Sequence, residues 1–343
     1  MNDTQPILQV KNLKQYFPIH GGVLGRVQNY VKAVDDISFD VYPGETLSIV
    51  GESGCGKSTT GRCILRLQEP TAGSIWFEGE NITSLSLREL RYRRRDMQII
   101  FQDPYASFNP RQSIQQLLNE AMAIQKIDPP GGRRARIMEL LEMVGLKPEH
   151  IDRYPHEFSG GQRQRMVVVR ALAVDPKLIM CDEGVCGLDV SVQAQVINLL
   201  MKLQRELGLT YIFVAHDLGV VRRISDRIVV MYLGQVAEVG DTHQIFENPQ
   251  HPYTRALLSA IPLPDPTERN TPITLEGDVP SPIDPPEGCP FHTRCPYVMD
   301  RCITTKPPLH PVDGGHGAAC HLLEDGPVDY DQLRPTRTPQ ASA

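Results

Sequence analysis

The chain has 343 residues, and its 35 lysines and arginines against 41 aspartates and glutamates give it a net charge of −6. A chain of this length can bury a substantial core, and its mild acidity does not favour a broad nucleic-acid-binding surface. Its hydrophobic content of 41% argues against intrinsic disorder. No apolar run approaches the ~20 residues that span a bilayer, and Met1–Gln5 does not resemble the start of a secretory signal.

Apolar and polar residues follow each other in patterns that predict strands and helices in turn. Strands are predicted at Ile7–Val10, Ala33–Val41, Thr46–Val50, Ser74–Phe77, Lys177–Cys181 and Thr210–Ala215, and a hairpin at Ile228–Tyr232 and Val236–Val239. Helices are predicted from Lys57 to Leu67, in 111–150 with a break at Asp128–Gly132, at Met166–Val174, and from an N-cap at Ser191 to Leu207. An irregular loop or hairpin tip is expected at 18–31. This alternation predicts an α/β fold with a mainly parallel sheet.

Proline is distributed unevenly, with 11 residues in 1–248 and 18 in 249–343. Since proline interrupts helices and central strands, the last stretch is expected to be rich in loops. The composition therefore predicts a boundary near residue 248.

The segment Gly51–Ser58 fits the pattern G-x-x-x-x-G-K-[ST] and lies between a predicted strand and a predicted helix, as a phosphate-binding loop (P-loop) must. Glycines let backbone N–H groups surround phosphates, and the helix N-terminus adds partial positive charge. Lys57 is predicted to contact the outer phosphates and Ser58 to hold Mg²⁺. The predicted nucleotide-binding residues of this segment are Gly51, Ser53, Gly54, Cys55, Gly56, Lys57, Ser58 and Thr59.

Two carboxylates, Asp182 and Glu183, follow the predicted strand Lys177–Cys181 directly. Neighbours in a strand point to opposite sides, so the two acids are expected to have different roles. Asp182 suits Mg²⁺ coordination, and Glu183 suits a general base that polarises an attacking water.

Phe158–Gln162 offers a second candidate phosphate contact. Ser159 can cap a helix whose first turn contains Gly160 and Gly161, which leaves a bare helix N-terminus.

The order of the P-loop, Gln102, Phe158–Gln162, Asp182-Glu183 and His216 resembles the nucleotide-binding subunits of ABC transporters. Ser-Gly-Gly-Gln ahead of the acidic strand distinguishes this family from kinases and small GTPases. The resemblance implies a P-loop ABC ATPase with a RecA-like, mainly parallel core, an antiparallel β subdomain, a helical subdomain and a loop-rich C-terminal extension. The implied domains are 1–110 (N-terminal core with the β subdomain), 111–164 (helical and signature subdomain), 165–248 (rest of the core) and 249–343 (extension).

The resemblance also implies that two subunits face each other head to tail, with ATP between the P-loop of one and the signature Phe158–Gln162 of the other. Gln102 and His216 would join Glu183 in catalysis, and Gln102 would also bind Mg²⁺ with Ser58 and Asp182. The remaining implied nucleotide contacts are Tyr16, which would stack on adenine, and Ser159, Gly160, Gly161, Gln162 and Asp189.

Four further segments extend the resemblance to the ATPases of bacterial dipeptide, oligopeptide and nickel importers, most of all to the second ATPase of a dipeptide importer. They are Gln102–Arg111, Tyr154–His156, His251–Thr254 and Gly277–Pro282. Such a subunit would hydrolyse ATP to power the import of di- or oligopeptides, as a peripheral protein at the cytoplasmic face of the inner or plasma membrane. Its partners would be a second ATPase that forms a heterodimer with it, two transmembrane permeases and an external peptide-binding protein, without nucleic acid. An importer of nickel or another small solute, and a redox-sensitive soluble ABC ATPase, are the alternatives.

The loop after Glu183 departs from the family pattern, which continues with Pro, then Thr or Val, then Ser-Ala-Leu-Asp. This chain has Gly184-Val185-Cys186-Gly187-Leu188-Asp189. Glycine gives backbone freedom where proline removes it. Because this loop crosses the dimer interface in the family, we expect slower or less coupled hydrolysis.

The extension carries Cys289, Cys295, Cys302 and Cys320, with wide gaps between them in a proline-rich setting. Such thiolates can hold a [4Fe–4S] cluster, which some members of the resembled subfamily contain. Zinc and unliganded, oxidisable thiols remain alternatives, although structural zinc favours closer pairs. Nearby histidines could replace a ligand: His292, His310, His316 and His321. The scattered Cys55, Cys63, Cys181 and Cys186 are interpreted as packing residues of the core.

Overall fold

The computed structural model describes residues 5–21, 25–103, 108–184, 189–261, 272–330 and 332–336. The strands of these ranges are β1 (Leu8–Gly21), β2 (Arg26–Val41), β3 (Thr46–Val50), β4 (Ala72–Phe77), β5 (Glu80–Asn81), β6 (Met97–Ile100), β7 (Leu178–Asp182), β8 (Thr210–Val214), β9 (Arg227–Tyr232), β10 (Gln235–Asp241), β11 (His310–Pro311) and β12 (Gly317–Ala318). The α-helices are α1 (Lys57–Ile64), α2 (Leu87–Arg93), α3 (Ile114–Ile124), α4 (Arg133–Met143), α5 (Gly160–Leu172), α6 (Val190–Leu207), α7 (Leu218–Ile224), α8 (Thr242–Glu247), α9 (Pro252–Ser259) and α10 (Asp300–Thr304). Short 3₁₀ turns lie at Ile82–Ser84, Pro148–Asp152, Pro155–Glu157 and His321–Leu323.

The chain folds into two compact units. The signature unit comprises Met1–Ile7, Tyr42–Thr46 and Glu80–Val214. The P-loop unit comprises Leu8–Val41, Leu47–Gly79 and Ala215–Ala343.

The signature unit contains a parallel arrangement of β6, β7 and β8 in that order. Every residue of β7 and β8 is buried, as expected for parallel strands that are covered on both faces. Helix α5 packs against α3, α4 and α6. Asp182 therefore lies at the carboxyl end of a central strand, where ligands bind in α/β sheets.

The P-loop unit contains an antiparallel arrangement of β1 with β2 and β4. In addition, β3 pairs in parallel with β9, and β9 and β10 form the predicted hairpin around Gly234, whose φ is +76°. Strand β3 is buried throughout and leads directly into Gly51.

Of the two alternatives predicted for 18–31, the hairpin is confirmed, whereas an irregular loop over the whole segment is wrong. Strands β1 and β2 continue through it, with Pro18 opposite Tyr30 and Gly21 opposite Arg26. Only Gly22, Val23 and Leu24 of this segment lie outside the described residues. The glycines suggested a longer loop, whereas antiparallel pairing between the two arms of the hairpin supplies backbone hydrogen bonds that extend the strands.

Helix α6 begins two residues earlier than predicted. Its N-cap is Asp189 rather than Ser191, and the Asp189 carboxylate accepts a hydrogen bond from the N–H of Val192 at 3.0 Å. The Ser191 hydroxyl donates to the same carboxylate at 2.9 Å. Both residue types cap helices, so the sequence alone did not separate them.

The extension is rich in loops, as its prolines predict, and its described part contains only short helices and strands. Strand β12 pairs with β10 and with β11, and Ala318, Cys320, Leu323 and Val328 form a small buried cluster. A short sheet edge and an apolar cluster therefore stabilise these loops. In the part of the chain that the structure describes, no helix combines the length and the apolar character needed to cross a membrane.

Candidate functional site

The P-loop backbone requires glycine at two positions. Gly51 and Gly56 have φ values of +149° and +102°. A side chain at Gly51 would collide with the carbonyl oxygen of Met231, and one at Gly56 with the carbonyl oxygen of Ala33. The P-loop thus passes close to the backbone at Met231 and at Ala33. It then enters α1, whose first turn has no side-chain cap.

Lys57 is buried and points back across this loop. Its ammonium group donates to the carbonyl oxygens of Gly51 and Glu52 at 2.8 and 2.9 Å. Ser58 and Thr59 follow in the first turn of α1 and are partly exposed, while Ser53 and Gly54 at the tip of the loop are exposed. This placement leaves the tip and the helix start accessible to a phosphate ligand.

Gln102 and Glu183 come together in the signature unit. The Gln102 amide donates to the Glu183 carboxylate, with 2.9 Å between Nε2 and Oε2. Glu183 adopts a φ of +51°, a left-handed conformation that is uncommon for this residue type, and its N–H donates to the carbonyl oxygen of Val214 at 3.0 Å. Such conformations concentrate at functional sites. Asp182 beside it is 4% exposed, whereas Glu183 is partly exposed, so the two acids have different surroundings.

The signature residues and Asp189 line one cavity. Ser159 caps α5 as predicted, because its hydroxyl accepts from the N–H of Gln162 at 3.4 Å and its own N–H donates to the Gln162 side chain at 3.1 Å. Gly161 needs glycine, since a Cβ there would lie 2.8 Å from Cγ1 of Val192, whereas Gly160 faces open space. The cavity is lined by Ser159, Gly160, Gly161, Gln162, Arg165, Asp189, Val192 and Gln195, among others. Two elements predicted to face a nucleotide therefore share one surface.

Tyr16 and His216 belong to the P-loop unit. The Tyr16 hydroxyl donates to Asp35 at 2.5 Å, and burial followed by the Asp35 carboxylate raises the pKa of Tyr16. His216 is exposed just after β8. Sequence reasoning had not linked Tyr16 to Asp35, because the contact depends on the pairing of β1 with β2.

Several supporting residues were not found from the sequence. Gln164 is buried and its side-chain amide donates to the carbonyl oxygen of Gly184. Tyr253 and Arg294 of the extension both contact Glu52 in the P-loop. Glu52 stands at a variable (x) position of the P-loop pattern, so the pattern assigned it no role. Its negative charge inside a phosphate-binding loop was the signal that could have drawn attention to it. The loop residues Val185, Cys186, Gly187 and Leu188 lie outside the described residues, as do Pro104–Ser107 of the segment Gln102–Arg111.

The four cysteines of the extension meet at one small cavity, which is also lined by His292 and His321. Burial raises the pKa of Cys289 to about 11 and also raises that of Cys320. Among the described residues, no group of three or more His, Cys, Asp or Glu side chains is arranged to hold a metal ion. His316 lies elsewhere, since its Nε2 is 2.7 Å from the Glu238 carboxylate. Cys55, Cys63 and Cys181 are buried, as predicted.

Comparisons with known proteins agree with this geometry. Residues 34–185 match the family described as ABC transporter, and residues 237–302 match the C-terminal region of oligopeptide/dipeptide transporters. A putative peptide import ATP-binding protein of Brucella ovis is 51% identical over 315 residues, which cover 92% of this chain and 97% of that protein. The chain belongs to the ATP-binding proteins of peptide ABC transporters. The oligopeptide transport ATP-binding protein AppF of Bacillus subtilis is 49% identical to this peptide ABC ATPase over 93% of this chain and 98% of AppF.

Structural comparison confirms the predicted P-loop ABC ATPase fold. A dimeric ATP-binding cassette in a post-hydrolysis state with ADP and phosphate has a TM-score of 0.60 and 28% identity, over 68% of this chain and 98% of that one. The peptide ABC ATPase hydrolyses ATP for transport and is a membrane-associated subunit.

Proposed function

We propose that ATP is hydrolysed between this subunit and a second ATPase subunit, arranged head to tail. The observation that carries this proposal is the hydrogen bond from Gln102 to Glu183 at the end of the buried strand β7. It holds a carboxylate in place as a general base for the attacking water, which typically contributes about 10²- to 10⁴-fold. His216 would contact the γ-phosphate, and Tyr16 would stack on adenine.

The shared cavity of the signature and Asp189 supports the head-to-tail arrangement. It offers the capped start of α5, with Ser159 and Gly161, to a nucleotide bound at the P-loop of the other subunit. The domain division at residues 110, 164 and 248 is part of the same proposal, with 249–343 as the extension.

The residues proposed for Mg²⁺ are Ser58 in the P-loop unit and Gln102 and Asp182 in the signature unit. Hydroxyl, amide and carboxylate oxygens are the hard ligands that Mg²⁺ prefers, so the donor set fits the ion. When bound, Mg²⁺ neutralises charge on the outer phosphates.

The proposed task is the import of di- or oligopeptides across the inner or plasma membrane, from its cytoplasmic face. The partners are a different ATPase that completes a heterodimer, two permeases, and an external binding protein that delivers the peptide. The likeness to peptide-import ATP-binding proteins over more than nine-tenths of the chain supports this proposal.

Reconstitution of the transporter into proteoliposomes tests the proposed peptide import. Proteoliposomes that contain the full complex should take up a labelled dipeptide when ATP is inside, and the Glu183→Gln variant should abolish this uptake. Uptake of nickel without uptake of peptide would assign the alternative substrate.

For the extension we propose a [4Fe–4S] cluster held by Cys289, Cys295, Cys302 and Cys320. That all four line one cavity supports it, since four thiolates are the usual ligand set of such a cluster. The described side chains are not themselves arranged to hold a metal ion, so the ligands would have to move to bind the cluster. Anaerobic purification from iron-replete cells should give a brown protein whose absorption near ~400 nm disappears in a Cys295→Ser variant. A colourless protein with stoichiometric zinc would contradict the cluster.

A further inference from the structure

Glu52, the second residue of the P-loop, is held at three of its groups. Its backbone N–H donates to the hydroxyl of Tyr253, with 2.8 Å between N and O. Its carboxylate accepts two hydrogen bonds from the guanidinium of Arg294, at 2.8 and 3.2 Å. Its carbonyl oxygen accepts from the Lys57 ammonium at 2.9 Å. Two of these three anchors come from the C-terminal extension.

The anchors are themselves packed against neighbouring side chains. Arg294 has only 9% of its side chain exposed, against 27% for Glu52. The Arg294 guanidinium lies 6.0 Å from the centre of the Tyr232 ring. Tyr232 packs edge-on against Tyr253 at 4.7 Å and against Phe291 at 5.2 Å between ring centres. A bidentate arginine on such a base fixes both the position and the direction of the carboxylate.

The charge of Glu52 gives this contact a functional consequence. A carboxylate in a loop that binds phosphates opposes an anionic ligand, because like charges repel most strongly where water is partly excluded. Arg294 neutralises that carboxylate. The Tyr253 hydroxyl accepts from the backbone N–H of Glu52 and so holds the backbone of the loop. The Lys57 ammonium donates to two carbonyl oxygens of the same stretch of loop, those of Gly51 and Glu52.

We infer that the C-terminal extension positions the P-loop for ATP through Glu52, with Arg294 and Tyr253 as positioning residues of the nucleotide site. The inference rests on the proposed role of Gly51–Ser58 in ATP binding. It gives the extension a part in the ATPase reaction itself, independent of any metal that its cysteines hold.

The test measures the affinity of the purified full-length chain for a fluorescent ATP analogue, MANT-ATP, with Mg²⁺. Arg294→Ala leaves Glu52 as an uncompensated, partly buried carboxylate and should weaken binding about tenfold. Removing both charges with Glu52→Gln and Arg294→Gln together should restore the affinity to within about threefold of the wild type. Tyr253→Phe keeps the ring and removes the hydroxyl, and should also weaken binding.

Arg222→Ala provides the matched control. Arg222 forms an Arg–Glu pair with Glu247 at 2.7 Å in the same unit, but both side chains are more than half exposed, and neither contacts the P-loop in the described structure. Its affinity for MANT-ATP should equal that of the wild type, and thermal melting without nucleotide should show that every variant is folded.

The outcomes separate the inference from the proposed site. If wild-type protein fails to bind MANT-ATP, the proposed nucleotide site and the inference fall together. If the wild type binds and neither Arg294→Ala nor Tyr253→Phe changes the affinity, the site stands and the inference is overturned. If the double neutral variant binds as weakly as Arg294→Ala, the contact is merely structural and the inference is likewise overturned.

Discussion

Gln102 and Glu183 are separated by 81 positions in the sequence, and their side chains meet through one hydrogen bond of 2.9 Å. Glu183 has a left-handed backbone whose N–H is bound to the carbonyl of Val214. The backbone and the Gln102 amide therefore fix the carboxylate from two directions. This arrangement suits a base that must stay in one place, since catalytic groups act best when their geometry is set before the reaction.

The first prediction concerns Glu183→Gln. The amide keeps the size of the side chain but cannot accept a proton, so ATP turnover should fall at least about 100-fold while MANT-ATP binding stays within about twofold. Steady-state phosphate release and equilibrium titration measure the two effects. Glu206→Gln, at an exposed position of α6, should leave turnover unchanged. Turnover above a tenth of the wild-type rate would show that another group acts as the base.

The second prediction compares the two glycines of the signature. Gly161→Ala places a methyl group 2.8 Å from Val192, whereas Gly160→Ala meets no atom within 4 Å. Overpacking of this kind costs about 1–3 kcal/mol, and the better helix propensity of alanine offsets up to about 1 kcal/mol of that cost, so Gly161→Ala should lower the free energy of unfolding by the difference. Gly160→Ala should be neutral or slightly stabilising, because alanine favours helices.

Urea unfolding of the purified chain measures both variants. The companion substitution Val192→Ala removes the two methyl groups near the new side chain and should recover part of the loss in the Gly161→Ala background. Equal stability of the Gly160→Ala and Gly161→Ala proteins would refute the close approach of α5 and α6.

The structural features behind these predictions differ in how far the sequence alone could predict them. The glycine-rich loop between a strand and a helix and the Ser159 cap were predicted correctly because both depend on local sequence signals. The Gln102–Glu183 bond and the Arg294–Glu52 pair were not predicted, because they depend on how distant segments pack. The cap of α6 was misplaced because Asp189 and Ser191 carry equivalent signals. In the extension, the apolar residues of the buried cluster are scattered among prolines, and one of them, Ala318, lies in β12, which pairs with the distant β10.

The third prediction concerns pH and His251. This side chain is 3% exposed, and burial lowers its pKa to about 4, partly opposed by the nearby Glu238 carboxylate. Its Nδ1 accepts from the N–H of Tyr253 at 3.1 Å, so the neutral form is the one that the fold uses. In the unfolded chain the pKa returns to its ordinary value near 6.5, and the unfolded state then binds the proton first. The free energy of unfolding should therefore fall by up to about 3 kcal/mol as the pH drops from 6.5 to 4.

Melting temperatures across this pH range provide the measurement. His251→Asn keeps an acceptor near the Tyr253 N–H and cannot be protonated, so its melting temperature should depend less on pH than that of the wild type. His243→Asn, at an exposed position of α8, is the control and should follow the wild-type curve. A His251→Asn curve parallel to that of the wild type would mean that other groups cause the acid sensitivity.

The fourth prediction concerns Gly184, where the family pattern has proline. Its carbonyl oxygen accepts from the buried Gln164, and a Cβ at this position would lie 2.8 Å from Cγ2 of Ile100. Restoring the usual residues with Gly184→Pro and Cys186→Ser should stiffen the loop and raise the ATPase rate and its cooperativity in the assembled transporter. The proline ring needs the space that Cγ2 of Ile100 occupies. Adding Ile100→Leu removes this methyl branch, at a cost in stability below about 1.5 kcal/mol, and should therefore increase the effect of the double substitution on the ATPase rate.

The ATPase rate is measured against ATP concentration, which also gives the Hill coefficient. Ile100→Leu alone is the control. An unchanged rate and Hill coefficient in both backgrounds would show that the glycine-rich loop does not limit communication between the two ATP sites.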